Sequence, residues 1–230
     1  DDLYIVPDAG SPRGDLIEVA EKSQLWLKVR TTGAQCHAST PHKGRNAFLA
    51  GAEMALACHN GLRAAFGDTS TLFNPPASTF VPGKHEANVP NINTVPGNDV
   101  FYVDCRLLPQ VDPQAVLDKT RALADEVEKR HGVRVEISVV QQQAASGVAE
   151  GSPVVAALKA AVARVYGVEG KAVGIGGATV AAQLRQRDLA AAVWSCVENT
   201  CHQPNERSSI TAAIKDAQVF THILMNSANV

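Results

Sequence analysis

Apolar and polar residues alternate with a period of two over residues 25–29, the pattern of a half-buried strand. Beyond residues 33–41 the period lengthens. Ala47, Gly51, Met54, Cys58 and Leu62 share one face of a helix beginning near Asn46. Residues 78–81 read as a short strand, and residues 88–98, rich in Asn, Pro and Gly, as a turn region. Residues 100–107 carry the strong strand formers Val100, Phe101, Tyr102 and Val103. Asp112 then offers an N-cap, with Pro113 at the first helical position. Val116, Thr120, Leu123, Ala124 and Val127 form the stripe of that helix, and Gly132 marks its stop. Residues 133–140 alternate again. The order strand–helix–strand–strand–helix–strand is that of a ferredoxin-like unit, spanning residues 23–140.

Residues 141–151 are small and polar and read as a linker. After them the rhythm becomes α/β. A helix starts at Ser152-Pro153, with Val154, Leu158, Val162 and Val165 on one side and Gly167 at its end. A short strand at Ala172-Val173 leads through a glycine run into a helix reaching about Arg187. Residues 191–196 form a strand. A last helix runs from Ser209 to about Met225, with Ile210, Ile214, Ala217, Phe220 and Leu224 facing inward. The opening strand, residues 1–6, has no partner within the ferredoxin-like unit and joins the α/β sheet. The expected architecture is therefore an α/β domain built from residues 1–22 and 141–230, interrupted by an inserted α+β unit at residues 23–140.

Composition narrows the function classes. The net charge is −2 and there is no basic run, so electrostatics give no reason to expect nucleic acid. No apolar run approaches the length of a bilayer span, which argues against a membrane partner. The five cysteines are scattered, without zinc-knuckle or C-x-x-C spacing, and read as reduced thiols of a cytoplasmic protein. The chain opens without Met, already in strand-like sequence, and so reads as a piece of something longer.

Candidate chemistry lies at the strand ends. His202 follows the apolar strand and precedes a proline turn, a placement open to a metal ligand or to a histidine hydrogen-bonded in a tight turn. Asp8 lies at the end of the opening strand, where open α/β sheets place ligands; it could equally initiate a turn. The run Gly174-Ile175-Gly176-Gly177-Ala178-Thr179 precedes a helix and lacks both G-x-G-x-x-G spacing and a following lysine. It fits a substrate carboxylate better than a nucleotide, and tight strand–helix packing is an equal alternative.

Five stretches, in order, resemble one family. They are Val6-Pro7-Asp8-Ala9-Gly10; His37-Ala38-Ser39-Thr40-Pro41 with Gly44 and Asn46-Ala47; Asn93-Thr94-Val95-Pro96 through Asp104-Cys105-Arg106; Gly176-Gly177-Ala178-Thr179; and His202-Gln203-Pro204-Asn205-Glu206. Together they look like the di-zinc peptidases and amidohydrolases that include aminoacylase, acetylornithine deacetylase and succinyl-diaminopimelate desuccinylase. Metallo-hydrolases labelled as the desuccinylase are the nearest. The resemblance implies part of a zinc-hydrolase α/β domain with an inserted ferredoxin-like dimerisation domain, or lid. It implies a zinc-dependent hydrolase of N-acyl amino acids or peptides, working as a homodimer. Asp8 and His202 match ligands of two different zinc ions. His37 matches a lid histidine that reaches the partner's active site and steadies the oxyanion. Asn93, Arg106, Gly176, Gly177 and Thr179 match substrate contacts, Arg106 by a bidentate grip on a carboxylate. The intact enzyme would hold two zincs, with cobalt or manganese as alternatives, that activate a water for attack on the amide.

One departure bears on activity. The upstream His-x-Asp and Glu-Glu segments of the family do not occur here. A hydrolytic zinc needs about three protein ligands, so these 230 residues are expected neither to retain zinc nor to hydrolyse amides alone. A non-catalytic dimerisation module is the alternative. A cysteine hydrolase is disfavoured, because Cys36-His37 and Cys201-His202 are neighbours whose side chains diverge on a strand. His42, His59, His85, His131 and His222 are expected at solvent or helix surfaces.

Overall fold

The computed structural model of the chain describes residues 2–201 and 203–227. Its strands, in chain order, are β1 (Tyr4–Ser11), β2 (Leu16–Glu21), β3 (Ser23–Thr32), β4 (Cys36–His37), β5 (Thr79–His85), β6 (Thr94–Val95), β7 (Asn98–Leu107), β8 (Arg134–Gln143), β9 (Ser146–Gly147), β10 (Lys171–Ile175) and β11 (Ala191–Cys196). Its helices are α1 (Ala47–Ala65), α2 (Pro113–His131), α3 (Pro153–Tyr166), α4 (Ala181–Arg185) and α5 (Ile210–Ser227). The chain divides into two compact units, one of Ser23–Ser70 and Pro75–Ala144, the other of Asp1–Lys22, Thr71–Asn74 and Ala145–Val230.

In the first of these, β3 is the central strand. All ten of its residues pair antiparallel with β7, from Ser23 opposite Leu107 to Thr32 opposite Asn98. Its other side pairs with β8, and β5 lies beyond β7, giving the ferredoxin-like order β5-β7-β3-β8. Alternation sets the faces. Leu25, Leu27 and Val29 are fully buried, while Trp26, Lys28 and Arg30 between them are half-buried. The helices pack on each other, α1 against β3, β5 and β7, and α2 against β8. Helix α1 buries Ala47, Gly51, Met54, Cys58 and Leu62, the face its spacing predicts. Helix α2 starts where Asp112 accepts the Gln114 N–H, and stops at Gly132 with φ 64°. Burial pushes the thiols of Cys58 and Cys105 up to about 12, which leaves both inert at neutral pH.

The second unit is a mixed sheet in the order β1-β11-β2-β10, with β9 paired to β2. Strand β1 runs parallel to β11, Tyr4 opposite Ala191. Strand β10 runs parallel to β2, and β2 antiparallel to β11. Strand β11 is buried on both faces. Trp194 stacks edge-on with Tyr166 of α3 and Phe220 of α5, and its indole N–H donates to Gly14 O at 2.8 Å. The alternate residues Ala191 and Val193 pack with Ala181 and Leu184 of the α4 side.

The structure departs from the periodicity in several places. Strand β2 was not expected, because Glu18 and Glu21 interrupt its apolar run. Strand β1 continues to Ser11 through a bulge between Val6 and Gly10, so Asp8 sits within that irregular stretch rather than past the strand. Gly10 is required there, since a Cβ would collide with the Ser195 carbonyl. Strand β8 continues to Gln143, and β9 forms inside the stretch that reads as a linker. The helix after the glycine run is only Ala181–Arg185. Helix α5 is rotated from its expected orientation. Asp216, Val219 and Ile223 are its buried residues, whereas Ile210, Ile214 and Leu224 are 81%, 57% and 72% exposed. The cause is polar: Asp216 accepts hydrogen bonds from Tyr166 Oη at 2.6 Å, Ser195 Oγ at 2.9 Å and the Cys196 N–H at 3.0 Å. These bonds fix which face of the helix meets the sheet.

Candidate functional site

The parallel strands β1 and β11 end beside each other, and the next element after β11 is helix α5, from Ile210. Arg207 reaches back to residues just after β11. Its Nε donates to Glu198 Oε2 at 2.7 Å, and its N–H to Thr200 Oγ1 at 3.3 Å. A pocket of about 400 Å³ opens there, lined by Asp8, Glu198, Thr200, Cys201, Glu206 and Arg207 among others. Asp8 thus faces the same cavity as the residues flanking position 202; His202 itself lies outside the described residues. The pocket is acidic, with three carboxylates against one guanidinium. Among the described residues no group of three His, Cys, Asp or Glu side chains is placed to hold a metal ion.

At the other end of this sheet, β10 leads into the loop of residues 176–179. Gly177 and Ala178 are exposed, but Thr179 turns inward. Its N–H and its hydroxyl both donate to Glu21 Oε1, at 2.8 and 2.6 Å, and its oxygen accepts the Ala181 N–H at 3.1 Å. Glu21 Oε2 accepts from Ser146 Oγ at 3.3 Å. Beside it, Arg185 grips Glu18 with Nη1 to Oε1 at 2.9 Å and Nη2 to Oε2 at 3.3 Å, while Nε donates to Ala191 O at 2.9 Å. Glu18 and Glu21 are each 1% exposed. Burial pushes Glu18 up to about 7; the Arg185 bonds pull the other way, and the charge of Glu21 adds to the rise. Sequence reasoning missed Glu18, Glu21 and Arg185. The available signal was two carboxylates inside the otherwise apolar run of residues 16–21.

In the ferredoxin-like unit, β4 and β6 bring together residues far apart in sequence. His37 pairs with Thr94, and the Ala38 N–H donates to Asn93 O at 2.8 Å, so His37 and Asn93 are neighbours on an exposed edge. The His37 ring is held through Nδ1. Its Nδ1 accepts the Ser39 N–H at 3.1 Å, with Ser39 Oγ at 2.7 Å. A neutral imidazole whose Nδ1 is an acceptor carries its proton on Nε2. Arg106, on β7, already holds a carboxylate: Nε and Nη2 lie 2.7 and 3.0 Å from the two oxygens of Asp104. Three further histidines are structural. His59 Nδ1 lies 2.8 Å from Phe80 O, His85 Nε2 2.9 Å from the buried Asp99, and His131 Nε2 2.7 Å from Glu53.

Residues 19–132 match the peptidase dimerisation domain. The chain is 37% identical to an uncharacterised metallohydrolase of Methanococcus maripaludis, over 97% of this chain and 57% of that protein. It is 24% identical to a succinyl-diaminopimelate desuccinylase of Magnetococcus marinus, over 94% of this chain and 53% of that protein. The chain therefore spans little more than half the length of the curated relatives it matches. Among solved structures, a Staphylococcus aureus tripeptidase superposes with a TM-score of 0.81 at 19% identity, covering 100% of this chain and 58% of that one. A Bacillus cereus aminopeptidase superposes with a TM-score of 0.76 at 19% identity, covering 96% and 56%. These two likenesses are of fold. Sequence and fold agree: the chain belongs to the family of metallopeptidases and amidohydrolases that carry this dimerisation domain.

Proposed function

We propose that this chain serves a metal-dependent hydrolase of amide bonds in N-acyl amino acids or peptides, with a desuccinylase-like reaction as the nearest case. The observation that carries the reading is the pocket in which Asp8 meets the loop around position 202, beside the ends of two parallel strands. Asp8 and His202 each donate to a separate divalent ion, zinc in this proposal, with cobalt or manganese as alternatives. The remaining ligands do not come from the described residues, and the 230 residues alone are inactive. Substrate is held by Asn93, by the loop of Gly176, Gly177 and Thr179, and by Arg106, which exchanges its hold on Asp104 for the substrate carboxylate. The free cysteines support a cytoplasmic setting, and among the described residues no helix is long and apolar enough to cross a membrane.

His37 serves the active site of a partner copy, the ferredoxin-like unit being the dimerisation surface. Its Nε2–H tautomer supports a donor's part: a neutral imidazole so arranged can give a hydrogen bond to an oxyanion and need not lose a proton to do so. In the full-length enzyme, His37→Ala lowers kcat about a hundredfold and leaves metal content unchanged, as read by steady-state kinetics and elemental analysis. An unaltered kcat removes His37 from the mechanism.

A further inference from the structure

Thr179 stands in the loop assigned above to the substrate carboxylate, yet both of its donors point into the protein. The N–H and the O–H end on the same atom, Glu21 Oε1, at 2.8 and 2.6 Å. A hydroxyl has one hydrogen; while it lies on Glu21, none is left for a ligand. Glu21 is 1% exposed; its other oxygen, Oε2, accepts from Ser146 Oγ at 3.3 Å, and the Arg185 guanidinium lies 4.0 Å from Oε1. Bonds to a carboxylate, shielded from water, are stronger than the neutral bonds of an exposed loop. The helix beyond Thr179 has only five residues and contributes little dipole, so the loop's shape must be fixed locally.

We propose that Glu21 is a positioning residue: an internal carboxylate that clamps Thr179 and so presents the exposed Gly177-Ala178 backbone, rather than the Thr179 side chain, to the carboxylate end of the substrate. This rests on the amide-hydrolase reading. It also assigns Ser146 and Arg185 a purpose, since Ser146 holds the second oxygen of Glu21 and the Arg185 charge lies beside the first. Glu21→Ala removes both acceptors and frees the loop. Glu21→Gln keeps the shape and one acceptor oxygen while removing the charge.

The clamp is tested on the 230-residue chain by amide hydrogen exchange. Thr179 exchanges slowly in the wild type, about tenfold or more faster in Glu21→Ala, and at an intermediate rate in Glu21→Gln, with Leu27 in β3 unchanged. A wild-type Thr179 amide that exchanges as fast as those of Gly177 and Ala178 overturns the clamp. Positioning is tested on the full-length enzyme with an N-acyl amino acid and its carboxamide analogue. Glu21→Ala raises KM for the free carboxylate about tenfold with kcat held within about twofold, leaves the carboxamide's KM unchanged, and is largely rescued by Glu21→Gln. Equal losses for both substrates mean Glu21 is merely structural. If Glu21→Ala fails to fold, Glu21→Gln carries the same comparison at a smaller shift. A wild-type enzyme indifferent to the carboxylate overturns the reading of the site and Glu21's part in substrate positioning together, while the exchange rates still decide whether the clamp exists.

Discussion

Glu18 and Glu21, three positions apart on β2, meet the same dry interior with different partners. Glu21 accepts from Thr179, whereas Glu18 is paired with Arg185, and burial pushes its carboxyl up to about 7. The unfolded carboxyl titrates near 4.5. Between those values the folded chain keeps a proton that the unfolded chain has lost. Stability from this group is therefore complete below about 4.5, falls as pH rises toward 7, and is level above that. Urea unfolding at pH 5 and pH 8 should show the wild type losing up to about 3 kcal/mol more than Glu18→Gln over that interval. Parallel pH profiles would show that Glu18 is ionised throughout. The role of neither glutamate could be read: two carboxylates in an apolar run hint at burial, but their partners Arg185 and Thr179 lie far along the chain. Asp8, His37 and Asn93 could be proposed from sequence because each sits in a short run whose neighbours are recognisable without the fold.

At the scale of elements, what could be read depended on where the orienting energy lies. Helices α1 and α2 follow their apolar stripes, and the ends of α2 are written locally in Asp112, Pro113 and Gly132. Helix α5 follows its stripe only at Phe220, which packs on Trp194; Ile210, Ile214 and Leu224 stay exposed while Asp216, with its three bonds, faces the sheet. Each of those apolar side chains offers roughly 1.5–3 kcal/mol if fully buried. Those three are instead 57–81% exposed, while losing Asp216 would leave the Ser195 hydroxyl and the Cys196 amide without this partner, at about 1–3 kcal/mol for each. The expected ranking follows. Asp112→Ala, which loses a visible cap, costs about 1 kcal/mol. Asp216→Ala, which loses an anchor that no period reveals, costs about 3 kcal/mol or more. Chemical denaturation of both variants decides between them, and the reverse order would mean that α5 is held by its apolar contacts after all.

For the whole molecule, the change from ferredoxin-like to α/β rhythm was legible because strand and helix periods differ and the helices are long. The exchange of short pieces was not. Thr71–Asn74 belongs with the α/β unit, where Phe73 bridges to Gly174 and lies against it so closely that a Cβ on Gly174 would strike the ring. Nothing in the sequence near Phe73 announces a partner so distant. The ligand count is likewise a property of the whole. Asp8 faces a pocket with Glu198, Cys201 and Glu206, yet no three-ligand group assembles among the described residues. A hydrolytic zinc site takes about three protein ligands, and an isolated carboxylate or imidazole holds the ion only weakly. Zinc titrated calorimetrically into the 230-residue chain should therefore show no one-to-one site at micromolar affinity. With a Kd of about 1 mM, 100 μM zinc would add only about 0.06 kcal/mol to folding stability, too little to move the melting temperature. Cys201, an exposed thiol, could bind the ion on its own account, so the titration is repeated on Cys201→Ser. Micromolar, stoichiometric binding that survives that change and is lost in Asp8→Ala would show that the chain carries a complete centre, and the division of ligands proposed above would be wrong.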